Sequence, residues 1–346
     1  MSPSLAARVE LSLHSPFNPV NAHFTRLSRL TWPAGASLRP RSFGQGGVEV
    51  EGLDAAQDVG GFVAKPPKRR PRLLRRQAGR GQDPQKGSNS FLGQLADGGF
   101  PAPRPLPAFG QRSWTATSAA VWEVVSFMPG RPVGWASQSA MEAIGALLAR
   151  YHAAACQVQV ASQRPVALPL RQVPAVLSTA GLPPIGEGDD QRRLVGRLAA
   201  ELSADLDNLG HGRWPRLVIH GDFTSHNVIA GGQPSRPRGV IDFALAHLES
   251  PLADIGYGLW RSGRPYDRAT WLDVSRVQRF VRGYASVRPL SGDDAAAVEV
   301  FLRGRGLQRL AKRVRTGRPD PGTLTQVQWL SAHKQLIAEG LAGALP

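Results

Sequence analysis

Short apolar runs separated by polar clusters set the pattern in the middle of the chain. Leu217–Ile219 and Val228–Ile229 flank a polar loop, and a third run, Val240–Ile241, ends at Asp242. Between the last two, residues 230–238 contain Gly231, Gly232, Pro234 and Pro237, which supply turn geometry, so this spacing predicts a β-hairpin. His220, Asp222, Asn227 and Asp242 would then gather at one end of a small sheet. Upstream, residues 121–130 (Val-Trp-Glu-Val-Val-Ser-Phe-Met-Pro-Gly) read as a buried strand ending in a turn, with Gly130 letting the chain reverse.

Helical periodicity takes over on both sides. Ser139 and Glu142 form a capping-box pattern ahead of Ile144, Leu147, Leu148 and Tyr151, with His152 on the same helix in a packing role. Residues 158–188 are a proline-rich excursion. Leu194, Leu198, Leu202 and Leu206 then mark an amphipathic helix over 189–209. Further helices are expected over 270–287, 293–316 and 324–345. The basic residues Arg303, Arg305, Arg309, Lys312, Arg313 and Arg315 on the second of these read as a solvated face.

The polar loop carries the candidate chemistry. Asp222 and Asn227 sit five apart across it, and a carboxylate there can take a proton from an attacking hydroxyl. Asn227 and Asp242 offer an amide oxygen and a second carboxylate, hard donors suited to magnesium, which keeps water and phosphate oxygens alongside few protein ligands. His226, His247 and Glu249 lie near enough in sequence to meet an acceptor substrate.

The ordered set His-Gly-Asp-x-x-x-x-Asn, Ile-Asp-Phe-x-x-Ala and a later Asp resembles the aminoglycoside phosphotransferase family of small-molecule kinases. The resemblance implies an α+β, bilobal protein-kinase-like fold, with a small N-terminal sheet lobe and a larger helical lobe. It implies Asp222 as catalytic base, Asn227 and Asp242 as magnesium ligands, His220 as the residue that props the loop, and Asp254 as the buried support of its backbone. Arg72–Arg76 resembles the strand that carries the phosphate-binding cation, so Arg75 would contact the ATP phosphates. Residues 121–130 resemble the interlobe hinge, where backbone groups of Ser126 and Met128 would bond adenine. One departure stands out: the helix glutamate that pairs with the phosphate-binding cation in the family falls on Ser88, and no acid occupies residues 86–94.

On this reading residues 1–70 are a divergent N-terminal segment, 71–128 the remainder of the small lobe with the hinge, and 129–346 the helical lobe with the catalytic hairpin. The stretch 42–47 (Ser-Phe-Gly-Gln-Gly-Gly) could be a glycine loop between two strands, and the basic, proline-rich run at 65–72 reads as a solvated linker. The formal charge of +16 is concentrated in the first third. It carries little aromatic interleaving and no recognisable nucleic-acid module, so an anionic nucleotide is the favoured partner over nucleic acid. The lone Cys156 excludes an internal disulfide and a cysteine metal cluster, and reads as a small buried hydrophobe. No stretch is long and apolar enough to cross a membrane, and the N-terminus lacks a secretory pattern, which makes the cytoplasm the expected compartment. Two functions follow. One is transfer of the γ-phosphate of Mg-ATP to a hydroxyl of a small molecule, whether an antibiotic, homoserine, a sugar or a choline-like alcohol. The other is nucleotide binding by an impaired pseudokinase that lacks the Ser88-position glutamate.

Overall fold

The structure, a computed structural model, describes residues 37–39, 48–51, 72–76, 88–106, 114–116, 121–134, 138–159, 168–178, 189–210, 214–233, 236–264, 271–316 and 321–345. The chain divides into two compact units. One runs to Ala96 and includes Pro103–Pro129; the other comprises Asp97–Ala102 and everything from Gly130 onward.

The first unit is an antiparallel sheet of five short strands: β1 (Ser37–Arg39), β2 (Val48–Glu51), β3 (Arg72–Arg76), β4 (Trp114–Ala116) and β5 (Val121–Val125), in the order β1-β2-β3-β5-β4. β1 and β2 pair antiparallel on either side of the glycine-containing stretch, with Leu38 opposite Val50. That stretch itself, and the basic run before β3, lie outside the described residues. In β3 and β5 Arg75 stands opposite Trp122, and their side chains also lie outside the described residues. One helix, α1 (Ser88–Asp97), buries Phe91, Leu92 and Leu95 along one stripe and carries no acid in its first turn.

The second unit is helical around two small sheets. Its long helices are α2 (Gln138–Ala155), α4 (Asp189–Asn208), α5 (Pro251–Ser262), α6 (Val274–Ala285) and α7 (Gly292–Arg315), with a short α3 (Val173–Ser178) and a closing pair, α8 (Pro321–Ala332) and α9 (Lys334–Ala342). α2 begins at Gln138, so Ser139 lies inside its first turn instead of capping it. α6 is shorter than its apolar pattern predicts because Asp273 caps it, its carboxylate accepting from the backbone N–H groups of Ser275 and Arg276. α7 opens with the reciprocal bonds of a capping box between Ser291 and Asp294. The expected single C-terminal helix is broken at His333. Cys156 corrects its sequence reading: it follows the end of α2 and is exposed.

Glycines fix how closely the helices approach. A Cβ at Gly145 on α2 would collide with the Phe280 carbonyl on α6, and one at Gly283 would collide with the Glu142 carbonyl, so these two helices meet backbone to backbone. Nothing lies within 4 Å of the corresponding position at Gly196 on α4. We therefore expect opposite outcomes from the same substitution. Gly283→Ala should lower stability by roughly 1–3 kcal/mol, the cost of overpacking. Gly196→Ala should raise it by about 0.5–1 kcal/mol through helix propensity. Thermal denaturation of the two variants checks both signs.

Candidate active site

Four short strands carry the polar loop. β7 (Leu217–Ile219) pairs antiparallel with β10 (His247–Glu249), and β8 (Val228–Ala230) forms the expected hairpin with β9 (Pro237–Val240), with β6 (Arg131–Pro132) on its edge. The first apolar run thus joins a separate two-stranded ribbon, not the hairpin sheet. The hairpin register breaks between Ile229 and Ala230, where the turn glycines and prolines disturb the ladder. Gly130 has φ +137, and a Cβ there would run into the Ala230 carbonyl, so only glycine lets the chain enter β6 at this distance.

Between β7 and β8 the loop His220–Asn227 is held from several directions. The Asp254 carboxylate, fully buried on α5, accepts the His220 backbone N–H at 2.7 Å and the Gly221 N–H at 2.9 Å. A third donor, His152 Nε2 of α2, lies 3.2 Å away, and His152 Nδ1 is 2.8 Å from the Tyr284 hydroxyl. Burial pushes the Asp254 carboxyl up, but the hydrogen bonds it accepts from His152 and from the His220 backbone are among the causes that hold the group below the usual carboxylate range. Burial pushes His152 below the ordinary imidazole value, against the pull of Asp254. The packing role expected of His152 is therefore a polar one. Gly221 itself has φ +74, and a Cβ there would strike the Leu245 carbonyl.

His220 links the loop to the end of the hairpin. Its Nε2 donates to the Ile241 carbonyl at 3.0 Å, while its Nδ1 accepts the Asp222 N–H at 3.3 Å; a carbonyl only accepts and an N–H only donates, so the ring is the neutral Nε2–H tautomer. The Ile241 N–H in turn donates to the Asn227 carbonyl at 2.9 Å. Asn227 Nδ2 donates to the Asp222 carbonyl at 2.9 Å, which spends the amide nitrogen internally, so only the amide oxygen could serve a ligand. Asp242 follows Ile241 in the left-handed region, φ 65 and ψ 63, the one non-glycine residue with positive φ among those described. A carboxylate held in so sparsely populated a conformation is a mark of a functional position.

Asp222 is half-buried. Burial raises its carboxyl above the usual range and the nearby Asp242 adds to the rise, while Arg305, His220 and Arg261 oppose it. Arg305 is the residue the sequence reading misplaced. It lies on α7 with Nη2 3.7 Å from Asp222 Oδ1 and 3.3 Å from the Gly221 carbonyl; its guanidinium covers the Tyr257 ring at 4.7 Å, and Nη1 donates to Gln308 Oε1 at 2.7 Å. Arg303 was expected on the same solvated face. Instead it is only 1% exposed and bridges Glu299 at 2.5 Å and Asp205 at 2.6 Å. The i, i+4 spacing of Glu299 and Arg303 was the available signal for a buried pair. For Arg305 no local signal existed.

Of the other candidates, Ser126 and Met128 lie in the first unit just after β5. The Ser126 N–H donates to the Arg104 carbonyl at 2.7 Å and its Oγ accepts the Arg104 N–H at 2.8 Å. Phe127 is half-buried. His226 is exposed, whereas His247 and Glu249 are buried. Among the described residues no cluster of three or more His, Cys, Asp or Glu could hold a metal by itself, and no helix is long and apolar enough to cross a membrane.

A five-stranded antiparallel sheet unit, a helical unit, and a His-Gly-Asp loop stitched to an Asp-bearing hairpin define a protein-kinase-like phosphotransferase. Residues 56–290 match the model of the phosphotransferase enzyme family, the aminoglycoside phosphotransferase group, and the chain belongs to that family. It is similar to the homoserine kinase of Methylobacillus flagellatus, 27% identical over 254 residues, covering 73% of this chain and 75% of that one. The fold is similar to that of a microcompartment-associated aminopropanol kinase, with a TM-score of 0.64 at 19% identity over 94% of this chain and 98% of the other. It is also similar to the amicoumacin kinase hAmiN, solved with AMP-PNP, Ca2+ and Ami, with a TM-score of 0.56 at 16% identity over 93% and 94%. The protein is an ATP-dependent small-molecule kinase that phosphorylates a hydroxyl group.

The Asp254 arrangement has a consequence in solution. Because the folded pKa of His152 lies below its unfolded value of about 6.5, its contribution is complete above that pH and is lost as pH falls through the folded pKa. Asp254 adds a second loss below about 3.9. Urea denaturation between pH 8 and 5 should show stability falling with pH, and His152→Gln should flatten that fall. Asp254→Ala should cost about 3–5 kcal/mol at pH 7, since it strips a buried network of its central acceptor.

Proposed function

We propose that Asp222 is the general base for the acceptor hydroxyl and that Asn227 and Asp242 are the protein ligands of magnesium on ATP. The observation that carries this reading is the single chain of bonds from Asp254 through His220 and Ile241 to Asn227, which fixes all three groups in one unit. In the transfer, the acceptor oxygen bonds to the γ-phosphorus as the bridging bond to ADP breaks, and the hydroxyl proton passes to Asp222. Burial keeps that carboxylate basic enough for the task, and Arg305 keeps it ionised. An amide oxygen and one carboxylate suit magnesium, which needs few protein groups when phosphate supplies the rest; bound there, it neutralises phosphate charge.

Arg75 would meet the ATP phosphates. In the hinge the Ser126 N–H is already engaged by Arg104, so adenine would use the Ser126 carbonyl and the Met128 N–H. Homoserine is the first acceptor to test, because relatives at 25–29% identity are homoserine kinases. The cytoplasm, where ATP is abundant, is the compartment this activity requires. The α1 helix carries no acid before Asp97, so it offers no counterpart of the glutamate the family has there. Turnover should accordingly be slow, and Ser88→Glu should speed it.

The two carboxylates should fail differently. Asp242→Asn should weaken Mg-ATP binding, because it removes an anionic hard ligand. Asp222→Asn should retain binding and lose about 10²–10⁴-fold in transfer. Nucleotide calorimetry and transfer assays on both variants are the check; equal loss of binding would reassign Asp222 to the metal.

A further inference from the structure

The cation beside Asp222 is itself held by a buried network. Arg305 does not hydrogen-bond the Asp222 carboxylate: at 3.7 Å its Nη2 is an ion-pair neighbour, beyond hydrogen-bond range. An ion pair at this distance has little directionality, so the guanidinium is placed by its other contacts. Nη2 donates to the Gly221 carbonyl at 3.3 Å, the guanidinium lies over the Tyr257 ring at 4.7 Å, and Nη1 donates to Gln308 Oε1 at 2.7 Å. The last of these is the shortest, and it comes from a side chain that is only 7% exposed.

Gln308 lies three residues after Arg305 on α7, a spacing at which helical side chains meet. Its amide is committed at both ends. Nε2 donates to the Leu168 carbonyl at 2.7 Å, so Oε1 must face Arg305. A flipped amide would set its oxygen against that carbonyl and its N–H groups against the guanidinium, with no acceptor at either end. The Tyr257 hydroxyl also bonds the Gln308 side chain, and Tyr257 is buried. The residues next to Tyr257 and Arg305 are glycines. A Cβ at Gly256 would meet the α7 backbone, and one at Gly306 would meet the Trp260 ring of α5. This close approach of the two helices seats the guanidinium on the Tyr257 ring. One amide thus ties α5, α7 and the segment at Leu168 to the loop that bears Asp222.

We infer that Gln308 is a positioning residue for phosphoryl transfer: it orients the Arg305 guanidinium, and Arg305 in turn sets where the Asp222 carboxylate points. This rests on Asp222 being the base. Charge alone does not account for the network. A lysine, or an arginine free to move, would supply the same charge without a buried amide to hold it. Burying an amide costs stability unless its polar atoms find partners. Placement does account for it. A general base works only within hydrogen-bond reach of the proton it takes, and small misplacements of reacting groups cost rate steeply.

The test measures single-turnover transfer of radiolabelled phosphate from Mg-ATP to L-homoserine and to water, with Mg-ATP affinity from calorimetry and folding from thermal denaturation. Gln308→Met keeps the volume and removes the amide's bonds. Arg305→Lys keeps the charge and removes the fork that reaches Gln308 and Gly221 together. Each should slow transfer by about 10- to 100-fold, the scale of a small misplacement at the reacting centre, with Mg-ATP affinity and the KM for L-homoserine little changed. The double variant should be no slower than the slower single one, since both act through one guanidinium. Arg305→Lys keeps the test open if Gln308→Met fails to fold. Transfer at the wild-type rate in the folded variants, losses that multiply in the double variant, or a loss confined to KM or to Mg-ATP affinity overturns the assignment. Asp222→Ala separates it from the catalytic reading. Slow transfer in Asp222→Ala that Gln308→Met does not slow further upholds both. Slow transfer in Asp222→Ala beside wild-type rates in Gln308→Met and Arg305→Lys upholds the base and rejects the positioning role. A wild-type rate in Asp222→Ala rejects the base and any role exercised through it, as does a wild type that transfers to neither acceptor.

Discussion

The Asp254 carboxylate is the point on which the rest of the site depends. It is fully buried, and it accepts two consecutive backbone N–H groups of the loop that runs from His220 to Asn227. A buried anion is costly unless its lone pairs are filled, so the loop must present His220 and Gly221 to it in one conformation. The opposing surfaces enforce the same choice. Gly258 on α5 approaches the Phe223 carbonyl, and Gly221 approaches that of Leu245, each too closely for a Cβ. The loop is therefore set by backbone packing, and its side chains inherit their positions.

From that anchor order passes outward through His220. One imidazole accepts from Asp222 and donates to Ile241, joining the loop to the hairpin. The link has two effects. It fixes the ring in one neutral tautomer, and it brings the chain to Asp242 in a left-handed conformation that an isolated hairpin would avoid. Local strain at a carboxylate is tolerable here because the bonds on both sides over-determine it.

The helical unit contributes more than a platform. α7 supplies the cation beside Asp222 and the deeply buried Arg303 that ties it through Asp205 to α4. Gly256 on α5 and Gly306 on α7 let these helices close on one another, which brings Arg305 within reach of the loop. Long-range contact between a helix late in the chain and a loop about eighty residues earlier thus sets the electrostatics of Asp222.

The hairpin, the helical stripes and the ordered Asp222, Asn227, Asp242 and Asp254 were legible in the sequence because each has a local signature. Turn glycines and prolines end strands, leucines recur at helical spacing, and a polar loop between apolar runs is conspicuous. The capping residue Asp273 and the break at His333 shifted helix ends by a few residues, since caps compete with periodicity at every terminus. What tertiary structure alone decided was the fate of individual charges. Arg303 and Arg305 look alike along the chain; one became a buried ion pair and the other a neighbour of Asp222. Pairing of β7 with β10 and the exposure of Cys156 belong to the same class. Each depends on which distant segment packs against it, and a side chain's solvation, unlike its secondary structure, is set by those neighbours and not by its own surroundings in sequence.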